Sequence, residues 1–351
     1  MKKLVNKIRR KSTVEESARI TTETIAEHRE RILAGGRRFK YPVQYARHRL
    51  VFNAIIIGVA VIILLVVGLY WQLYLAQNTS DFMYRVTKVV PLPVASVDGQ
   101  TVKYSEYLMK YRSSIHYLEE KEQVNLSTEG GKRQSDFVKQ QAMEDAVADA
   151  YAMKLAKEKD ITVTSVELET FLKLQRQSAD GEVSEATYDA VILDYYGWSP
   201  EEYHQTMKNK LLRQKVSYAI DTEAKTTADN IGKTITAGNT DLTIIAADVN
   251  KSAANSVDYA VQGWVPKANQ DGGLAAAAAK LQKGGISPVV RSTTGDGYYF
   301  VKLIDSNDTQ VNYEFIHIPL TAFKTQLDKI VKSDGGVKEY ITIPDVTTTK
   351  E

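Results

Sequence analysis

The pattern of apolar and polar residues is interrupted by one long uncharged segment. From Leu50 to Ser80 the chain has no charged residue, and the stretch AIIIGVAVIILLVVGL within it is apolar throughout. A bilayer core requires about 20 apolar residues in a helix. Tyr70, Trp71 and Tyr74 follow at its far end, as in an interfacial aromatic belt. We predict one transmembrane helix over residues 50–76, uncleaved, because the polar region before it is far too long for a signal peptide.

The distribution of charge around this segment predicts its orientation. The basic residues before it include Lys2, Lys3, Lys7, Arg9, Arg10, Lys11, Arg37, Arg38, Lys40, Arg47 and Arg49. Just after it, only Arg85 and Lys88 are basic, near Asp81. The positive-inside rule therefore places residues 1–49 in the cytoplasm and the residues from about 78 onward outside the cell membrane.

The cytoplasmic segment carries helix signals of its own. Thr13 and Glu16 fit a capping box, and Gly35-Gly36 is expected to end the helix. We interpret it as a solvated helix. The alternative is that residues 12–34 dock a cytoplasmic partner or the secretion translocon, in which case the protein is a scaffold.

The pattern of apolar and polar residues over 77–216 predicts an all-helical lobe. A short extended segment turns at Asp98-Gly99, and apolar residues at steps of three and four then predict five helices. These helices begin near Tyr104, Gln134, Thr164, Ser184 and Ser199. Capping boxes mark two of the starts, Thr164 with Glu167 and Ser199 with Glu202, the latter with Pro200 in the first helical position.

Beyond the lobe, strands and helices alternate, which predicts a small α+β domain over residues 217–306. The expected elements are a strand at VSYAI, a helix at TEAKTTADNIGKTITAG, a strand at DYAVQGWV, a helix at GLAAAAAKLQKG and a hairpin of ISPVV with GYYFVKLI. Residues 307–351 predict a strand (VNYEFIHIPL) and a helix (TAFKTQLDKIVK) in a tail. The alternative is that residues 311–343 are a truncated second copy of the domain. The fold class is thus α+β with one transmembrane helix.

Composition excludes several kinds of chemistry. The 351 residues carry a formal net charge of +2, so global charge does not suggest a nucleic-acid partner. The absence of cysteine excludes disulfides, thiolate zinc sites and a cysteine nucleophile. The sequence has no His/acid ligand spacing, no P-loop and no Gly-x-Ser-x-Gly motif, so we expect no metal and no other cofactor.

Several motifs resemble those of a known family. KGGISPVV followed by GYYFVKLID, with Gly263-Trp264-Val265 upstream, resembles the carboxy-terminal half of parvulin-type peptidyl-prolyl isomerase domains. VASVDGQTVKYSEY and YYGWSPEEYHQTMKNKLLRQKV are similar to segments of the helical domain of SurA-type chaperones. The resemblance covers residues 94–306. The order of anchor, helical lobe and parvulin-like (FKBP-like) domain resembles membrane-anchored extracytoplasmic foldases of the PpiD and PrsA type.

The resemblance implies a site whose family residues are largely replaced. Parvulins use paired histidines, apolar pocket walls, a cysteine or aspartate, and a threonine or serine. The matching positions are Tyr299 and Tyr218 for the histidines, Leu274 for a pocket wall, Thr294 for the threonine, and residues 253–255 for the acid or thiol. The family's first strand often reads His-Ile-Leu, as around His317, but we interpret His317 as part of a tail strand packed on a sheet.

Two hypotheses of different classes follow. The first is a membrane-anchored chaperone that binds unfolded or nascent polypeptides in an apolar groove of the lobe. Its candidate client-binding residues are Tyr104, Tyr107, Tyr111, Tyr188, Tyr195 and Trp198, each of which is alternatively part of the lobe core. The second is an isomerase of Xaa-Pro bonds with a divergent site at Tyr218, Leu274, Thr294 and Tyr299.

Overall fold

Residues 21–40, 42–178, 181–252 and 256–344 are described by a computed structural model. The chain divides between Gln72 and Leu73 into two units. Sequence features at Thr13, Glu16 and residues 253–255 lie outside the described residues.

The amino-terminal unit contains two helices, α1 (Thr22–Lys40) and α2 (Pro42–Tyr70), and the start of a π-helical turn (Trp71–Leu75). The segment His48–Leu75 is long and apolar enough to cross a membrane, judged by length and composition. It coincides with the predicted span of residues 50–76. Its residues from His48 to Gly68 are exposed, with Leu64 at 70%, as expected for a helix whose surroundings are not protein.

Gly35-Gly36 does not end the first helix, contrary to the sequence prediction, because α1 continues to Lys40. Each glycine costs a helix interior about 1 kcal/mol relative to alanine, which weakens a helix without breaking it.

The second unit contains a helical lobe and a four-stranded sheet. The lobe helices are α3 (Asp81–Val89), α4 (Tyr104–Glu120), α5 (Glu129–Glu158), α6 (Ser165–Gln175), α7 (Glu185–Tyr196) and α8 (Pro200–Ile220). The lobe strands are β1 (Pro93–Val97), β2 (Gln100–Lys103), β3 (Gln177–Ser178) and β4 (Gly181–Glu182). The remaining helices are α9 (Thr222–Thr236), α10 (Leu242–Ser252), α11 (Leu274–Ala278) and α12 (Ala322–Lys332), and the remaining strands are β5 (Asp258–Pro266), β6 (Val290–Arg291), β7 (Gly297–Ser306), β8 (Gln310–Pro319) and β9 (Val337–Glu339).

Four of the five predicted helix starts in the lobe are confirmed, whereas α5 begins at Glu129 and not near Gln134. The lobe also contains α3, which was not predicted, and it is not all-helical. Both capping boxes form, at Thr164 with Glu167 and at Ser199 with Glu202. The hairpin of β1 and β2 turns at Asp98-Gly99, and β9 pairs with the other edge of β1 to give the order β2-β1-β9. The partner strand β9 arrives from more than 200 residues away, so no local pattern announces this sheet.

The larger sheet is antiparallel, with the order β5-β8-β7-β6. Two sequence predictions are corrected by the structure. VSYAI forms the last turn of α8 and not a strand, and its Val216 is fully buried on the side of α8 that faces the protein. The strand assigned to a tail, β8, lies inside the sheet, so residues 311–343 are not a separate second copy.

Helices cover both faces of this sheet. Successive residues of a strand point to opposite faces. Tyr298 and Phe300 pack with residues of α9 and α10, whereas Tyr299 and Val301 pack with residues of α11. Alternate residues of β7 therefore belong to two separate apolar clusters, and Tyr299 lies on the face that α11 covers.

A buried carboxylate joins the lobe to the sheet. Asp221 lies between α8 and α9 and is 2% exposed. Its Oδ1 accepts a hydrogen bond from the Ala224 N–H at 2.9 Å, which caps α9. Its Oδ2 accepts the N–H groups of Thr321 and Ala322, at 2.7 and 2.9 Å, at the start of α12. One side chain thus fixes the starts of two helices that are far apart in the sequence.

We expect Asp221→Ala to lower the free energy of unfolding by about 3 kcal/mol, because it leaves buried N–H donors at two helix starts without an acceptor. Urea unfolding of the detergent-solubilised chain measures this. The control is Asp241→Ala, which removes an exposed cap of α10 alone and should cost about 1 kcal/mol. Equal losses in the two variants would contradict the linking role.

Candidate functional site

A tyrosine and a histidine stack across neighbouring strands in the middle of the sheet. Tyr299 on β7 and His317 on β8 are register partners. Their ring centroids are 4.5 Å apart and the ring planes differ by 15°. By resemblance, Tyr218 is the position that matches the first histidine of the parvulins, but the residue beside Tyr299 is His317.

Gly297 allows the strands to approach this closely. A Cβ atom at this position would lie 2.2 Å from the Ile318 carbonyl oxygen and 2.8 Å from His317 Nε2. Any other residue would therefore displace β8 or the imidazole ring. The glycine that precedes the two tyrosines in GYYFVKLI is therefore a requirement of the site.

Two carboxylates surround the ring pair. The Tyr299 hydroxyl donates to Asp296 Oδ2 at 2.6 Å, and the Thr294 hydroxyl donates to Asp296 Oδ1 at 2.7 Å. His317 Nε2 lies 4.0 Å from Asp296 Oδ2, and His317 Nδ1 lies 3.5 Å from Asp258 Oδ2. The imidazole is thus held between two acids and one aromatic ring.

Hydrogen bonding sets the charge state of this cluster. Burial would raise the pKa of Asp296, but the hydrogen bonds from Tyr299, Thr294 and Ser292 outweigh it and hold that pKa below its usual range. Burial, and then the Asp296 acceptor, raise the pKa of Tyr299. At neutral pH the cluster therefore contains a carboxylate and a neutral phenol that donates to it.

The structure separates the four residues that the sequence analysis grouped. Thr294 and Tyr299 meet at Asp296, while Leu274 is 5% exposed and packs within the α11 cluster. Tyr218 packs edge-on against Tyr298, on the opposite face from Tyr299, and its hydroxyl donates to the Gly297 carbonyl at 2.6 Å. It holds the β6–β7 turn and does not pair with Tyr299.

Asp296 and His317 were absent from the candidate site predicted from sequence. The motif YEFIHIPL did carry a signal for His317, since it resembles the family's His-Ile-Leu strand. Because this motif follows the hairpin in the sequence, nothing in the sequence indicated that its strand pairs within the same sheet.

Three of the predicted client-binding tyrosines belong to the lobe core. Tyr104, Tyr107 and Tyr111 are 1%, 2% and 8% exposed. The Tyr104 hydroxyl donates to the Leu73 carbonyl at 2.6 Å, and the Tyr111 hydroxyl lies 3.0 Å from Ser135 Oγ. Their prediction as groove residues is wrong, because the apolar stripe of α4 faces inward against α5 and the β1–β2 hairpin.

The other three aromatic candidates lie nearer the surface. Tyr188 packs on Tyr203, with ring centroids 5.7 Å apart. Tyr195 is 44% exposed, with the Lys121 ammonium 4.8 Å from its ring centroid. Trp198 stacks on Tyr196 at 5.1 Å, and its buried indole Nε1 has no hydrogen-bond acceptor among the residues that the structure describes.

Trp198 and Tyr196 border a cleft of about 800 Å³, here called the aromatic cleft. Its apolar lining comprises Tyr117, Leu118, Phe137, Val138, Tyr196 and Trp198. Phe137 is 49% exposed in it. Buried charges close one side, where the Lys110 ammonium lies 2.7 Å from Asp149 Oδ2. The cleft can hold apolar side chains of a polypeptide beside an unpaired N–H donor.

A second cleft, of about 670 Å³, connects the lobe with the sheet and is here called the junction cleft. Its walls come from α5, α8 and α12 and from the β6–β7 turn, including Thr294 and Asp296. Asp145, Lys210 and Arg213 line both clefts. Within the described part of the chain, no group of three His, Asp or Glu side chains could hold a metal ion.

Comparison with known proteins identifies the class of the lobe. Residues 44–217 match the model of the SurA-like N-terminal domain family. No curated protein and no solved structure matches the chain. This part of the chain is similar to SurA-like N-terminal domains, which supports a chaperone-type folding factor. The matched region ends before the four-stranded sheet.

We expect the Asp296 carboxylate to stabilise the fold only while it is charged. Its pKa is lower in the folded chain than the unfolded value of about 3.9, so its contribution is complete above that value and is lost as the pH falls through the folded pKa. The difference in free energy of unfolding between wild type and Asp296→Asn should therefore be constant above about pH 5 and shrink below about pH 4.

Acid titration of urea unfolding measures this difference. Tyr299→Phe is the matched control, because it removes one donor to Asp296 and keeps the carboxylate. The pH dependence should become weaker in that background without disappearing. A difference that stays constant down to about pH 2 would contradict the assignment.

Proposed function

We propose that this protein is a membrane-anchored folding factor that binds unfolded polypeptide segments on the extracytoplasmic side of the cell membrane. The observation that carries the proposal is that the match to the SurA-like N-terminal domain family, over residues 44–217, includes the apolar helix His48–Leu75. A SurA-like domain implies unfolded polypeptides as clients. The excess of Lys and Arg before the helix supports a cytoplasmic amino terminus.

The aromatic cleft is the surface that we assign to clients. Its exposed rings bury apolar side chains without requiring one sequence, which suits a protein that accepts many clients. The Trp198 N–H adds a donor for a backbone carbonyl, a group that every client has. Of the residues first considered, Trp198 stays in this proposal and Tyr195 lies near it, whereas Tyr104, Tyr107 and Tyr111 do not take part.

We expect Phe137→Ser to weaken binding of an unfolded polypeptide about tenfold, because one exposed ring then no longer buries apolar area. Fluorescence anisotropy of a labelled, aromatic-rich unfolded polypeptide with the full chain in detergent measures the dissociation constant. Trp198→Phe, which retains a ring but loses the N–H donor, should weaken binding about fivefold.

Val166→Ser is the matched control. Val166 is 76% exposed on α6 and does not line the aromatic cleft, so its loss should leave binding unchanged. Equal weakening by Val166→Ser and Phe137→Ser would place the clients elsewhere on the chain.

A second function, isomerisation of Xaa-Pro bonds, is favoured by the position of His317. In the family that the sheet resembles, the first histidine stands on a strand before the first helix. Here the strand with His317 follows the hairpin in the sequence but lies directly beside the Tyr299 strand. A histidine beside the Tyr299 strand thus comes from a strand near the end of the domain, whereas the family uses a strand near its start.

The chemistry needed for this function is modest. Rotation of an amide has a barrier of about 18–20 kcal/mol, and polar groups that interact better with the twisted bond lower it. The His317 side chain is 18% exposed and has a ring nitrogen near each acid, so it is the group we assign to the substrate. Tyr299 and Asp296 would position it.

We expect the full chain to accelerate cis-to-trans conversion of an Xaa-Pro peptide, and His317→Gln to abolish the acceleration. Tyr299→Phe, which loses the bond to Asp296 but keeps the stacked ring, should reduce the rate less. His116→Ala, in the lobe, is the control. No acceleration by the wild type would exclude this function and leave the sheet a structural or binding role.

A further inference from the structure

Helix α3 has one face packed on the lobe and one face that no residue in the described part of the chain covers. Tyr84 and Thr87 are 6% and 1% exposed, and the Tyr84 hydroxyl donates to Glu202 Oε1 at 2.5 Å. Phe82 and Val89, seven residues apart and so on one side of the helix, are 67% and 82% exposed. The rotation of α3 is therefore fixed with its apolar outer stripe in solvent.

Basic side chains flank this stripe. Arg85 lies between Phe82 and Val89; its side chain is 77% exposed and its Nε lies 2.8 Å from Asp81 Oδ2. The Lys88 side chain is 49% exposed, and its ammonium lies 3.3 Å from Glu202 Oε1. The helix carries these two basic residues against one acid, Asp81. Exposed apolar residues beside Lys and Arg are the pattern of a helix that lies in a lipid interface.

The chain itself limits how far α3 can be from the end of the apolar span. The span ends at Leu75 and α3 begins at Asp81, so the connection reaches roughly 20 Å at most. The last residues of the span are also part of the lobe. Leu73 is fully buried there, and the Tyr74 hydroxyl donates to the Pro93 carbonyl at 2.6 Å. The lobe therefore begins where the span ends.

We propose that the outer face of α3 docks on the membrane surface, with Phe82 and Val89 in the lipid interface and Arg85 and Lys88 against anionic headgroups. This rests on the proposed anchoring of His48–Leu75 in the bilayer. Two apolar side chains are too few to hold a protein on lipid from solution. A tether makes the contact intramolecular, so a weak surface is enough.

Docking would set the orientation of the lobe above the bilayer. The side chains of Tyr84 and Thr87 hold α3 to the lobe, so a helix fixed on lipid allows the lobe little freedom to turn about the anchor. The aromatic cleft would then keep one height and direction for arriving polypeptides.

The test uses the absence of cysteine, which makes single-site labelling clean. Phe82→Cys and Val89→Cys are each labelled with an environment-sensitive fluorophore in the full chain. Each is reconstituted into vesicles of phosphatidylcholine with phosphatidylglycerol, with or without lipids that carry a nitroxide quencher near the headgroup. Val166→Cys, an equally exposed valine on α6, is the matched control, and Ile62→Cys in the middle of the span reports anchoring.

We expect the labels at 82 and 89 to be quenched by the lipid nitroxide and shifted to shorter emission wavelengths, with the label at 166 unchanged. Quenching should weaken when phosphatidylglycerol is omitted. Aqueous signals at 82 and 89 with a buried label at 62 would overturn docking and leave anchoring intact. An aqueous label at 62 would overturn both. Shielding at 82 and 89 that grows with protein density, without lipid quenching, would show that a second copy covers α3, which also overturns the proposal.

Discussion

The hydrogen bonds of Asp221 are the interaction on which the arrangement of lobe and sheet depends. A buried carboxylate is costly unless donors surround it, and here three backbone N–H groups at two helix starts do so. These donors come from α9 and from the beginning of α12. The end of the lobe, the entry to the sheet and the exit from the sheet therefore meet at Asp221. These hydrogen bonds fix the position at which β8 ends, and hence the position of His317.

The exit from the sheet leads back to the lobe, so the two parts are joined twice. After Asp221 fixes its start, α12 places Phe323 against Tyr151, with ring centroids 5.6 Å apart, and β9 then pairs with β1. Ile341 is 6% exposed beyond it. A single connection through α8 would let the sheet rotate relative to the lobe, whereas a second connection through α12 and β9 opposes this and gives the junction cleft fixed walls.

Local signals in the sequence predicted the helices and strands well, but the pairing of strands that are distant in the sequence could not be predicted. The capping boxes at Thr164 and Ser199 and the uncharged span act within a few residues, so the sequence displays them directly. VSYAI was ambiguous, because a short apolar run fits a strand or a buried helical turn. The tyrosines of α4 had the right spacing, but spacing marks an apolar face and does not tell a core from a groove. The partners of Tyr299 could not be predicted, because strand order is decided by contacts between distant segments.

The two proposed functions are linked through α5 and α8. Asp145, Lys210 and Arg213 line both the aromatic cleft and the junction cleft, so these side chains form a ridge shared by the two. Beyond the ridge, the junction cleft is bordered by Asp296, which accepts the Tyr299 hydroxyl beside His317. A polypeptide bound by its apolar side chains in the aromatic cleft therefore has a neighbouring cleft that leads to the β6–β7 turn. The proposed binding requires only the first cleft. The proposed isomerisation would also require that a proline further along the same segment reach His317, so it would depend on binding by the lobe.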